Sequence, residues 1–212
     1  MGAGPRPLQV VTLIGAHVRL EPLTVAHVEA LVVAASIDRS TYEWTNVPDG
    51  SAAMTAYVEG LVGEREAATA LPFAQVDART GAVVGCTRLM ELRWFSGRDL
   101  PDEVEVGGTW LAAPPQRTAI NTEAKLLMFT HAFDAIGAWR VALATDANNA
   151  RSRAAIERAG ARFEGVLRNH RVHHGSHLPA GSAVAPRDTA VFGITRDDWP
   201  DVRAGLLARL GR

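Results

Sequence analysis

The run DEVEVGGTWL, residues 102–111, alternates acidic and apolar side chains and then meets two adjacent glycines, Gly107 and Gly108. In an extended strand such a pair makes a bulge or lets another backbone approach closely, and it frees N–H groups from strand pairing. Glu103 and Glu105, two residues apart, share one face of that strand. A carboxylate beside freed N–H groups can take a proton from a reacting group while the donors stabilise negative charge on an oxygen. Glu105 is the candidate base, acting directly or through water. Its alternative is a solvated carboxylate or one paired with an arginine. The backbone of Val106, Gly107, Gly108, Thr109 and Trp110, continuing to Leu111, is the candidate oxyanion and cofactor cradle, and a simple bulge is the alternative.

The second constellation, PPQRTAINTEAK at 114–125, sits between a strand and a helix and contains no glycine. A strand ending in a tight turn before a helix points unpaired backbone N–H groups at one spot, where the helix dipole adds positive potential. Gln116, Arg117, Thr118, Ala119, Ile120, Asn121 and Thr122 are therefore candidates to hold a phosphate, mainly through the backbone. If Ala119 takes left-handed angles, its methyl costs ~1 kcal/mol or more. If it takes ordinary helical angles, it adds only a methyl group. Arg117 either pairs with the phosphate or is solvated.

Asn149 caps a helix whose first turn holds Ser152, and satisfying a backbone group in that turn is the alternative role of the Ser152 hydroxyl. Ser152 lies in no GxSxG elbow, which argues against ester hydrolysis. His170, His173, His174 and His177 place four of the seven histidines within eight residues. No cysteine or carboxylate accompanies them closely, so a polar loop that contacts acceptor or a partner subunit is favoured over a metal site.

The elements that position these residues follow from periodicity. Residues 9–14 and 17–22 read as a hairpin about Gly15. Thr24 caps a helix to Ala35 and Ser51 caps a second. Phe73 to Asp77 and Val83 to Leu92 form another hairpin. Then come the glycine-bearing strand, a helix from Thr122 to Ile136 stopped by Gly137, a strand at 140–146, the helix after Asn149 and two last strands. Asp197 or Asp198 starts a final helix. The order predicts an α/β (α+β) fold, a mixed, mostly antiparallel sheet with helices on both faces.

With 212 residues, a formal charge of -1 and a pI near 6.7, the chain suits one domain and gives no electrostatic reason for a nucleic-acid partner. Cys86 alone cannot form an intrachain disulfide, so the chain reads as intracellular. No apolar run approaches membrane-spanning length and no secretion signal opens the sequence, so no membrane partner and a cytoplasmic location are expected.

From Val11 to Trp199 the order of elements resembles the GNAT superfamily, and within it the branch of ribosomal-protein N-terminal acetyltransferases. The resemblance rests on VEVGGTWL, PPQRTAINTEAKLL and DANNARSRAAIERAGARFEGVLR, in that order. It implies a single GNAT domain over 1–212, with 1–8 flexible and 173–187 an extended hairpin loop. It further implies an acetyl-CoA co-substrate, no metal, an amine acceptor that is a small molecule or a peptide, and a possible homodimer. The second piece would hold the pyrophosphate, and Asn149 and Ser152 would lie near the pantetheine arm, with Ser152 as donor to the leaving thiolate. Tyr42, Glu43 and Trp44, on the loop that covers the acceptor pocket in this fold, are candidate acceptor contacts together with Glu103, and packing of the aromatics under the loop is the equal alternative. This chain departs from the pattern at Ala119 and Asn121, where glycine or a small residue is usual. It also departs at Arg171, where some relatives carry a carboxylate, and in having no tyrosine beyond Tyr42 and Tyr57. The departures leave a non-catalytic acyl-CoA-binding or protein-interaction module as the rival reading, and Arg171 points toward an acidic or neutral acceptor.

Overall fold

Alternating apolar residues form one eight-stranded sheet in this computed structural model, which describes residues 6–173 and 185–212. The strands are β1 (Leu13–Ile14), β2 (Val18–Pro22), β3 (Leu71–Asp77), β4 (Val83–Arg93), β5 (Glu103–Leu111), β6 (Arg140–Asp146), β7 (Arg162–Val172) and β8 (Pro186–Thr195). The helices are α1 (Val28–Ser36), α2 (Gly50–Glu66), α3 (Ala119–Thr130), α4 (Ala150–Arg158) and α5 (Trp199–Arg209). The sheet order is β1-β2-β3-β4-β5-β6-β8-β7, antiparallel throughout except for β5 beside β6.

Two cores follow from the strand alternation. Val104, Val106, Phe73 and Phe192 pack with Phe129 of α3 and Trp199 of α5. Ala74, Cys86 and Trp110 pack with Leu31 of α1 and Met54 and Val58 of α2. Successive residues of one strand thus serve opposite layers. The β1–β2 hairpin is tied to α3 by Glu123, a fully buried carboxylate. It accepts from the N–H groups of Ala16 at 3.0 Å, Val18 at 3.0 Å and His17, and from Arg212 Nη2 at 2.6 Å.

Three boundaries differ from the sequence expectation. The second helix starts at Gly50 with Asp49 as its N-cap, not at Ser51, while the Asp49 carboxylate lies 3.4 Å from Arg39. The third starts at Ala119, three residues before Thr122, and passes into a π-helical stretch, His131–Ile136. Gly137 ends it at φ 73°, the expected stop. The last β-strand already includes Pro186 and Arg187, which shortens the expected 173–187 loop at its far end.

Candidate active site

The parallel ladder of β5 and β6 covers only Glu103–Glu105 opposite Arg140–Ala142. Both strands continue, β5 to Leu111 and β6 to Asp146, so their facing edges separate into a wedge beyond Glu105. A bulge explains the separation. Between Cys86↔Trp110 and Arg88↔Gly107, β5 carries one more residue than β4, and Gly108 takes φ 56° to fit it in. Gly107 leaves room, because a Cβ there would stand 2.9 Å from Glu105 Oε1 and 3.1 Å from Met90 Sδ and would displace the carboxylate. The glycine pair thus opens the strand and leaves space beside the candidate base.

Because β5 and β6 run the same way, the turns and helix N-termini that follow them gather at the open end of the wedge. After β5, Gln116 Nε2 donates to the Leu111 carbonyl at 2.9 Å and pins the turn to the strand end. Thr118 caps α3: its Oγ1 accepts from Ile120 N–H at 3.3 Å and donates to the Pro115 carbonyl at 2.7 Å. Ala119, Ile120, Asn121 and Thr122 form the first turn of α3, where backbone N–H groups lack a partner within the helix. The left-handed residue of the turn is Arg117, φ 62°, and Ala119 keeps helical angles. The absence of glycine at 119 therefore brings no backbone penalty. Ile120 turns its side chain into the core, and Arg117 is exposed.

After β6, Asn149 caps α4 by accepting from the N–H of Ser152 at 2.9 Å. This fixes Ser152 in the first turn, half-buried, at the second lip of the wedge. Arg151 Nη2 donates to the Thr41 carbonyl at 2.6 Å and so ties the segment between α1 and α2 to α4.

Glu105 is 6% exposed and meets Arg171 in a bidentate ion pair, Oε2 to Nη2 at 2.7 Å and Oε1 to Nη1 at 3.2 Å. Arg171 is also 3.6 Å from Glu91. The arginine that replaces the expected carboxylate thus crosses from β7 to grip the candidate base. Beneath the bulge, Lys125 of α3 is buried and donates to Thr109 Oγ1 at 3.0 Å, and Thr109 Oγ1 lies 2.8 Å from Thr87 Oγ1. Burial pushes the Lys125 pKa down to about 8, against the upward pull of Glu105. At the end of β6, Asp146 Oδ2 stands 3.2 Å from His173 Nδ1. Arg187 of β8 is the register partner of Arg171.

The remaining expected contacts divide. Tyr42 is buried under its loop, edge-on to Trp110 with ring centroids 5.9 Å apart, and its hydroxyl makes no hydrogen bond. It packs into the α1–α2 core. Trp110 is likewise a core side chain, so only its backbone borders the wedge. Trp44 is half-buried in the same loop. Glu103 is engaged by Arg140 at 3.3 Å and Arg93 at 3.5 Å. Of the histidines, His174 and His177 lie outside the described residues. Sequence reading missed Lys125, Asp146 and Arg187. A lysine amid the apolar residues of the α3 pattern was the available signal for the first. Among the described residues no helix is long and apolar enough to cross a membrane.

A family model described as an acetyltransferase (GNAT) domain matches residues 17–162. No curated protein matches the chain. Among solved structures, a GCN5-related N-acetyltransferase from Brucella melitensis is 29% identical, with a TM-score of 0.80 over 97% of this chain and 88% of that one. A candidate acetyltransferase from T. thermophilus is 33% identical, with a TM-score of 0.75 over 99% of this chain and 100% of its own. Mycobacterium smegmatis RimJ, in complex with CoA-disulfide, is 23% identical, with a TM-score of 0.73 over 92% and 90%, a likeness of fold alone.

Proposed function

The chain belongs to the GNAT acetyltransferase family and is an N-acetyltransferase, and from that premise we propose that it transfers acetyl from acetyl-CoA directly to an acceptor amine bound in the same complex. The wedge between β5 and β6 carries this reading, since it opens one residue past Glu105 and has the N-termini of α3 and α4 at its open end. Acetyl-CoA supplies the activated acyl group as a thioester. The residues present fit it: the α3 N-terminus offers N–H donors for a pyrophosphate, and Ala119 keeps helical angles there. The β5 edge beyond Glu105 can pair with the amides of the pantetheine arm.

In this reading the N–H groups freed at the Gly107–Gly108 bulge hold the thioester carbonyl oxygen. Glu105 takes the proton from the acceptor ammonium, directly or through water, and the neutral nitrogen attacks the carbonyl carbon. The carbon–sulfur bond breaks, the second proton of the nitrogen passes to the departing sulfur so that CoA leaves as the thiol, and the Ser152 hydroxyl donates a hydrogen bond to that sulfur. Arg171 positions Glu105. Ala119 and Asn121, two of the features that favoured a non-catalytic module, lie in an ordinary helical turn and no longer support it.

The test is calorimetric titration of acetyl-CoA together with release of CoA thiol in the presence of an amine panel. Micromolar binding with amine-dependent thiol release is the expected result. Absence of binding removes the proposal, and binding without release from any amine returns the non-catalytic module.

A further inference from the structure

Arg187 stands out as a guanidinium without an ion-pair partner. Among the described residues no carboxylate oxygen comes within 4.0 Å of it, and the remaining segments, 1–5 and 174–184, contain no Asp or Glu. Its Nε is buried and makes no hydrogen bond. The carboxylates around it are already engaged. Asp146 accepts from Asn148 N–H at 2.9 Å and faces His173, while Glu105 is taken by both arms of Arg171. Arg171, the register partner of Arg187 on β7, adds a second guanidinium, and Lys125, buried beneath Thr109, adds an ammonium. Burial, then the repulsion of Arg171, push the Arg187 pKa down, while Asp146 and Glu105 pull it up.

A half-buried guanidinium with a buried, unbonded nitrogen carries a desolvation cost that an incoming anion would offset. Arginine's planar fork suits a carboxylate in particular. Arg187 is the register partner of Arg171, whose guanidinium at 2.7 Å grips Glu105, the group assigned to the acceptor's proton. An acceptor with its amine at Glu105 would then bring a neighbouring substituent to Arg187.

We infer that the acceptor is an amine bearing a carboxylate close to the reacting nitrogen, and that Arg187 binds that carboxylate and sets the specificity. This rests on the acetyl-transfer reading and deepens it. It excludes simple polyamines and other purely cationic amines as preferred acceptors.

Matched acceptors test it: glycine against glycinamide, β-alanine against β-alaninamide, and the peptide Ala-Asp-Ala against Ala-Asn-Ala, each with the full chain and its Arg187→Gln and Arg187→Lys variants. In at least one pair the acid is expected to show kcat/KM higher by about tenfold or more, the scale of a charge-assisted hydrogen bond. Arg187→Gln should raise KM for that acid about tenfold and leave its neutral partner and the acetyl-CoA Kd unchanged, and Arg187→Lys should restore part of the loss. The inference is overturned if the neutral member is preferred in every pair, if no acid is acetylated although acetyl-CoA binds, or if Arg187→Gln affects acid and neutral acceptors alike. A rise in the acetyl-CoA Kd in Arg187→Gln, with the acceptor KM unmoved, would assign Arg187 to a CoA phosphate and also overturn it. Failure to bind acetyl-CoA at all overturns the acetyl-transfer reading, and this inference with it.

Discussion

Arg171 Nη2 lies 2.7 Å from Glu105 Oε2, joining β7 to β5 across 66 residues of sequence although β6 and β8 lie between them in the sheet. Removing one partner of a buried pair leaves the other charge uncompensated, which is worse than never having the pair. Arg171→Gln should therefore cost ~2 kcal/mol in urea unfolding, a value reduced because the arginine is partly exposed. The double variant Glu105→Gln with Arg171→Gln should cost less than the sum of the two single changes by ~1 kcal/mol or more. Strict additivity would mean that the pair contributes nothing to stability.

The base assignment has a competitor beside the end of β6. Glu105→Gln should lower kcat ~100-fold with the acetyl-CoA Kd little changed, the lower range of a general base's contribution. His173, oriented by Asp146 at 3.2 Å, is the alternative acceptor of the proton, and His173→Gln should lower kcat less than about tenfold. The reverse ranking, read from steady-state thiol release, would transfer the role to His173.

Ala119→Gly should not improve acetyl-CoA binding, since the alanine already has helical angles at the first position of α3. It should cost up to ~1 kcal/mol through chain entropy. Arg117→Gly is the change expected to stabilise the turn, by ~1 kcal/mol, because φ 62° at Arg117 is the left-handed position. Calorimetry and urea midpoints on the two variants check both statements.

Glu123 should govern acid sensitivity. Burial raises its pKa, but the N–H groups of His17, Ala16 and Val18 and the Arg212 guanidinium outweigh burial and hold it below the usual carboxylate range. A depressed folded pKa gives stability that is present above the unfolded value and lost as pH falls through the folded one. The urea midpoint should thus drop on acidification below about pH 4.3, the unfolded glutamate value. Glu123→Gln should be less stable at pH 7 and show a smaller further drop.

Lys125 predicts a change of the same sign at the alkaline end. Burial lowers its pKa to about 8, whereas an unfolded lysine titrates near 10.4. Between those values the unfolded chain binds more protons, so stability rises with pH through that window. The urea midpoint of the native chain should climb between about pH 8 and 10 relative to Lys125→Met. Parallel curves for the two proteins would show that the ammonium is not held in the buried position beside Thr109.

Much of the frame was legible locally. The alternation of Val104, Glu105 and Val106, the glycine pair, the Asn149 cap and the Gly137 stop each rest on periods or turn chemistry confined to a few residues. The start of α3 was missed because Arg117, a residue with no preference for left-handed angles, takes the turn position there, which lets Thr118 cap the helix. Tyr42 was legible as an aromatic on a loop, but its direction was not. Its burial depends on Trp110, which alternates to the α1–α2 layer only after the bulge has added a residue to β5.

The sequence by itself determined the order of elements, the bulge, the Asn149 cap and the Gly137 stop, because period, φ range and capping groups act over a few residues. Only the tertiary structure decided which charges meet. The strand order β5-β6-β8-β7 and the short β5–β6 ladder bring Arg171 to Glu105, His173 to Asp146 and Lys125 to Thr109, and leave Arg187 without a carboxylate. Such pairings depend on distances between residues far apart in the chain, which no local pattern encodes.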